Sequence, residues 1–84
     1  KDLLSSECKV VEINWIGKEP TAPMDVHTRV RYRSKEAASR VFPQSESTAI
    51  VHFNTPQTAV TPGQGAVFYR GDEILGGGWI SSDV

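Results

Sequence analysis

Cysteine is almost missing from this chain: Cys8 is the only one among 84 residues. An internal disulfide and a cysteine-built zinc site are therefore excluded. Long apolar runs are missing too, since nothing approaches the roughly 20 residues that a membrane-spanning helix needs. The opening Lys1-Asp2-Leu3-Leu4-Ser5-Ser6-Glu7 carries no signal-peptide pattern. Nor is there an excess of charge, because nine basic and ten acidic side chains leave a net −1. That balance excludes a uniformly basic nucleic-acid binder while allowing a local basic patch. A soluble, cytoplasmic chain is expected. The length fits one domain of residues 1–84, since domains typically run to about 100–150 residues. A chain this short buries only about 60–65% of its unfolded surface, which makes a deep enzymatic cleft hard to build. With no initiating methionine and a polar start, it reads as a piece of a longer protein, with residues 1–7 and 81–84 expected to fray.

What the sequence does have is short β-type runs separated by Gly, Pro, Asn and Ser. Residues 9–16 alternate well enough for a strand, with Val11, Ile13 and Trp15 on one face. Gly17 ends it, and Pro20 and Pro23 make the following stretch a loop. Residues 26–34 alternate more strictly, and residues 48–53 form a third β-favouring run closed by Asn54 and Pro56. Residues 66–69 and 73–75 flank a turn at Arg70-Gly71-Asp72 and predict a hairpin. Lys35 to Phe42 has partly helical composition, yet it is too short for an isolated helix. A strand through residues 38–42 is expected there. The pattern predicts an all-β fold, a small six-stranded antiparallel β-barrel with little helix.

Three constellations could carry chemistry. In His27-Thr28-Arg29-Val30-Arg31-Tyr32-Arg33-Ser34-Lys35, strand geometry puts His27, Arg29, Arg31, Arg33 and Lys35 on one side. Val26, Val30 and Tyr32 face the other way. No acid interrupts this ribbon, which suits a sugar–phosphate backbone. Taken alone, it is more commonly the ordinary solvated outer face of a half-buried strand, because surface charge is common. Thr61-Pro62-Gly63-Gln64-Gly65 predicts a type II turn. Within it, Gln64 alone can read a base edge or sugar hydroxyl. Gly76-Gly77-Gly78 lacks the Lys-Ser/Thr ending of a phosphate loop, and no helix follows it. Those glycines are expected to mark a bulge, a barrel bend or a close backbone approach. Nothing near Cys8 would lower its pKa, so it is expected to be a minor packing or surface residue. His27 and His52 have no acid or thiol at ligand spacing, and no catalytic or metal site is expected.

Read together, Asn14-Trp15-Ile16, Arg29-Val30-Arg31-Tyr32-Arg33, Ala59-Val60-Thr61-Pro62-Gly63-Gln64-Gly65-Ala66-Val67-Phe68-Tyr69, Gly71-Asp72, Leu75-Gly76-Gly77-Gly78 and Ile80 resemble the C-terminal end of the bacterial tRNA 2-thiouridylase family. The resemblance covers about residues 11–80 and is loose over 35–47. It implies a barrel similar to the second domain of translation elongation factors, following an N-terminal PP-loop domain and a small central domain. It implies a parent enzyme that uses ATP, with Mg, to activate the wobble uridine of tRNA and replaces its C2 oxygen with sulfur from a persulfide donor protein. The ATP-binding and sulfur-carrying motifs of that family are missing from this sequence, so no cofactor is expected in this domain. The family's tRNA contacts match Arg31, Tyr32 and Gln64 here. Arg29, Arg33 and Lys35 extend that set by strand geometry alone. Strict alternation separates Arg31 from Tyr32, and a bulge, a strand end or a backbone contact would reconcile them.

The expected function is a tRNA-contacting accessory domain of such an enzyme. The alternative is a protein-interaction barrel that docks the sulfur-relay partner or the catalytic domain. A barrel from a translation GTPase is a third reading, which the combination of TPGQ and the glycine triplet argues against.

Overall fold

A computed structural model describes residues 4–30, 36–45, 47–58 and 60–81. Six strands follow one another: β1 (Leu4–Trp15), β2 (Met24–Arg29), β3 (Ala37–Pro43), β4 (Ala49–Thr58), β5 (Gly65–Arg70) and β6 (Glu73–Ile80). They close into a barrel in the order β1-β4-β3-β2-β5-β6, and every neighbouring pair is antiparallel. Closure gives each strand partners on both sides, which removes the sheet edges that would otherwise invite aggregation. Three connections are hairpins or short loops between neighbours. The other two, β1–β2 and β4–β5, cross opposite ends of the barrel. The expected six-stranded antiparallel barrel is what forms, and residues 37–43 are strand rather than helix.

Alternation fills the interior. Val26, Val41, Ala49, Val51, Phe53, Ala66, Phe68 and Ile80 point inward and form one core with Cys8, Val10 and Ile13. Each buried Val or Phe contributes about 1.5–3 kcal/mol of hydrophobic stabilisation. Two polar residues join them, and they satisfy each other: Thr28 Oγ1 and Ser39 Oγ lie 2.7 Å apart, and Ser39 Oγ donates to the Ala37 carbonyl at 3.1 Å. That pairing avoids the penalty of an unsatisfied buried hydroxyl.

The structure corrects three expectations. Val10, not Val11, lies in the core beside Ile13. The register against β6 runs Val11↔Trp79 and then Asn14↔Gly77, so β1 has one residue more than its partner. Glu12 takes a φ of 53° there, and the Ile13 amide leaves the ladder to donate to the Ser47 carbonyl at 2.8 Å. This bulge moves the inward face from even to odd positions. It also aims Trp15 inward, where its ring stacks on Phe68 at 5.4 Å between centroids. The second is that Cys8 packs inside the core, which leaves only the surface half of its expected place wrong. The third is that β2 ends at Arg29, with Val30 already outside the strand, and residues 31–34 of the expected run lie outside the described residues.

The glycine triplet lies within β6, and close backbone approach explains it. A Cβ on Gly78 would come within 2.5 Å of the Val11 carbonyl oxygen, and one on Gly76 within 2.8 Å of that of Asn14. The bulged β1 therefore crosses β6 where no side chain fits. Among the described residues, no helix is long and apolar enough to cross a membrane.

Candidate nucleic-acid interface

Gln64 sits on a turn built as its sequence predicts. Pro62 sets the first corner, Gly63 holds a φ of 92° at the second, and the Gln64 amide donates to the Thr61 carbonyl at 3.2 Å. These are the features of a type II turn. Two backbone bonds of 2.8 Å fasten it to the end of β6, from Gly63 N to Ile80 O and from Ile80 N to Gln64 O. The Gln64 side chain folds back so that Oε1 accepts from the Thr61 amide at 3.3 Å. The carboxamide is thus held in place with its two N–H donors as the end available to a ligand.

Arg29 is the last residue of β2 and lies opposite Val67. Gln64 immediately precedes β5, so the two residues are three positions apart along adjacent strands, about 10 Å at ~3.3 Å per residue. Both occupy the same end of the barrel. The Arg29 guanidinium carbon is 5.7 Å from the centre of the Tyr69 ring, a cation–π distance. Its Nη2 is 3.8 Å from Glu36 Oε2, too far for a hydrogen bond but close enough to offset charge. Arg29 Nε is buried with no hydrogen-bond partner. The acid-free ribbon of the sequence therefore gains an acid in three dimensions, because the pairing of β3 with β2 brings Glu36, the residue before β3, beside Arg29. Arg31, Tyr32, Arg33 and Lys35 lie outside the described residues. Val30 and Glu36, the described residues that flank them in sequence, lie at the end of the barrel where Gln64 sits.

Two surface features were not singled out by the sequence. The first is an apolar outer face on β6 and β1. Trp79 is 53% exposed, Ile74 45% and Ile16 60%. A groove of about 330 Å³ on this face is lined by Asn14, Ile16, Val67, Ile74, Gly76 and Gly77. The second is a shallow cleft of about 310 Å³ over β2, bordered by His27, Ala38, Asn54 and Tyr69 among others. Alternation alone placed these side chains outward, but only the register across four strands assembles them into one surface. Asp25 also borders the cleft and is paired with Arg40, with Nε at 2.9 Å and Nη2 at 3.5 Å. That guanidinium, hydrogen-bonded and of opposite charge, holds the Asp25 carboxyl below its usual range.

Cys8 is far from any such surface chemistry. Burial, with a smaller effect from the Glu7 carboxylate, pushes its thiol up from 9.0 to about 11. Among the described residues no group of three or more His, Cys, Asp or Glu is arranged to hold a metal.

A six-stranded closed barrel with a braced turn at one end defines a small β-barrel module, and comparison with known proteins gives its family. The profile of the aminomethyltransferase β-barrel domain family matches residues 5–80, and the chain belongs to that family. It is 46% identical over 83 residues to the tRNA-specific 2-thiouridylase MnmA of Desulfosudis oleivorans, covering 99% of this chain and 23% of that protein. Its likeness to the protein of the same name from Geobacillus thermodenitrificans is 44% over 79 residues, covering 93% of the chain and 21% of the relative. The counterpart in Chlorobium chlorochromatii is 47% identical over 79 residues, again 93% and 21%. The chain thus spans less than a quarter of the length of these curated relatives. The resemblance read from TPGQ and the glycine triplet is borne out.

Proposed function

We propose that this barrel is the tRNA-contacting module of a tRNA 2-thiouridylase whose chemistry is carried out elsewhere in a longer polypeptide. The observation that carries this reading is the end of the barrel where Gln64, its carboxamide braced by Thr61, sits about 10 Å along adjacent strands from Arg29. A hydrogen-bonding amide beside a half-buried guanidinium suits a base edge or sugar hydroxyl next to a phosphate. Arg31 and Tyr32 complete the contact, with Arg33 and Lys35 adding to the positive field. ATP with Mg, the PP-loop and central domains and the persulfide donor protein belong to the parent enzyme, and a cytoplasmic location goes with that role. A buried thiol held protonated well above neutral pH supports leaving Cys8 out of sulfur transfer.

The test is filter binding of tRNA to the complete enzyme at several salt concentrations. Arg31→Ala lowers affinity and reduces the salt slope by about one unit, the signature of one lost phosphate contact. Gln64→Ala weakens binding with little change of slope, since no charge is removed. If both variants bind like the unaltered enzyme at every salt, this end of the barrel does not touch tRNA.

The apolar face of β6 and β1 favours a second, compatible role. Its occupant in this reading is the rest of the same polypeptide, which makes up more than three-quarters of the length of the relatives. A tethered partner meets such a face at high effective concentration, which a separate sulfur-donor protein does not.

A further inference from the structure

We propose that the cleft over β2 holds one unpaired nucleotide of the same tRNA, beyond the contacts at Gln64 and Arg29. The inference rests on the tRNA-contacting reading above and deepens it by extending the path of the RNA. Register pairs His27 with Tyr69 on one side and with Ala38 on the other. Asn54 lies one step beyond the Ser39–Phe53 pair, which brings it beside Ala38. Tyr69, His27, Ala38 and Asn54 therefore form a row across four strands, spaced by about 4.8 Å each. The cleft exists because Ala38 contributes only a methyl group in the middle of that row. A larger side chain there would fill it.

The walls fit a planar polar ligand. Tyr69 already has the Arg29 guanidinium over its ring, and a base can extend that stack. His27 and Asn54 offer donors and acceptors to a base edge or a 2′-hydroxyl. Arg70 borders the cleft as a cation, and the one bordering carboxylate, Asp25, is tied to Arg40 and so repels a phosphate less. Exposed aliphatic surface on the cleft is limited to Ala38, whereas an apolar protein side chain would find far better partners on the β6–β1 face. Position agrees with chemistry. Gln64 to Tyr69 is five residues along β5, about 16 Å, with Arg29 between them, so one short run of nucleotides can touch all three.

Nuclear magnetic resonance on the 84-residue chain, titrated with an unmodified tRNA transcript, tests this at low affinity. The amide signals of His27, Asn54 and Tyr69 are expected to shift together with that of Gln64. Ala38→Leu, a change at an exposed strand position, fills the cleft. It should weaken binding on the order of fivefold, the loss expected for one stacked base, and silence His27 and Asn54 while Gln64 still responds. Tyr69→Phe keeps the ring and should bind within about twofold of the unaltered chain. Gln64 responding with a silent cleft, or Ala38→Leu binding unchanged, overturns the cleft and leaves the tRNA-contacting reading standing. No response at any residue overturns both. Equal shifts at the cleft with a blunt RNA duplex overturn the assignment to an unpaired nucleotide. Shifts confined to the Trp79 face would mark an apolar contact instead, and would also overturn it.

Discussion

At the scale of single residues, environment decides chemistry more than residue type does. Cys8 alternates into the barrel between β4 and the end of β6, and the loss of water there disfavours its thiolate. Its folded pKa of about 11 lies above the ordinary 9.0, so the folded state holds this proton more tightly than the unfolded chain does. The resulting stabilisation is complete below about pH 9 and is lost as the pH rises through about 11. Iodoacetamide should therefore modify the native chain at neutral pH far more slowly than the urea-unfolded chain, as followed by mass spectrometry. Equal rates would mean that the thiol is not buried. Gln64 shows the opposite arrangement: a flexible amide made specific by one hydrogen bond to Thr61 and a turn pinned to β6. Its identity and its turn were legible in the sequence. Arg29 was legible as a cation on an outer face. Its partners were not, because Tyr69 comes from β5 and Glu36 from the residue just before β3.

At the scale of elements, β6 and β1 depend on each other. A bulge at Glu12 widens one side of β1, and the glycine triplet lets β6 pass within contact of its carbonyls. Gly78→Ala would place a methyl 2.5 Å from the Val11 oxygen and against Val10 and Ile13 in the core. It should cost on the order of 2–3 kcal/mol, as overpacking of a tight core does. That is a large share of the roughly 4–13 kcal/mol expected for a domain of this size at 0.05–0.15 kcal/mol per residue. Gly65→Ala is the control, since its nearest neighbour is the Trp79 ring at an ordinary 3.7 Å. Its effect should stay within about 1 kcal/mol. Urea midpoints of the two variants decide the matter, and equal midpoints would show that β6 can move away from β1. Periodicity pointed to both strands but misassigned Val10 and Val11, because a one-residue bulge shifts the face without changing the composition.

At the scale of the whole molecule, the barrel has two unlike outer faces. One, across β5, β2, β3 and β4, is polar and aromatic; the other, on β6 and β1, is apolar. Replacing Ile16, Ile74 and Trp79 together by serine should leave the isolated chain folded, because these side chains lie outside the core. If the rest of a longer polypeptide covers this face as proposed, the same triple variant in the complete enzyme should speed hydrogen exchange there, as read by mass spectrometry. Unchanged exchange would show that the face is bare in the intact protein.

The sequence by itself determined the fold class, the hairpin at Gly71, the TPGQ turn and the family, because each depends on local periodicity, turn chemistry or an ordered set of motifs. Only the tertiary structure decided which residues meet. Strand order in the barrel sets Tyr69 beside His27 and Ala38 beside Asn54. Those neighbours are far apart along the chain, and their pairing follows from strand order and register, which alternation of apolar and polar residues constrains only to the choice of face.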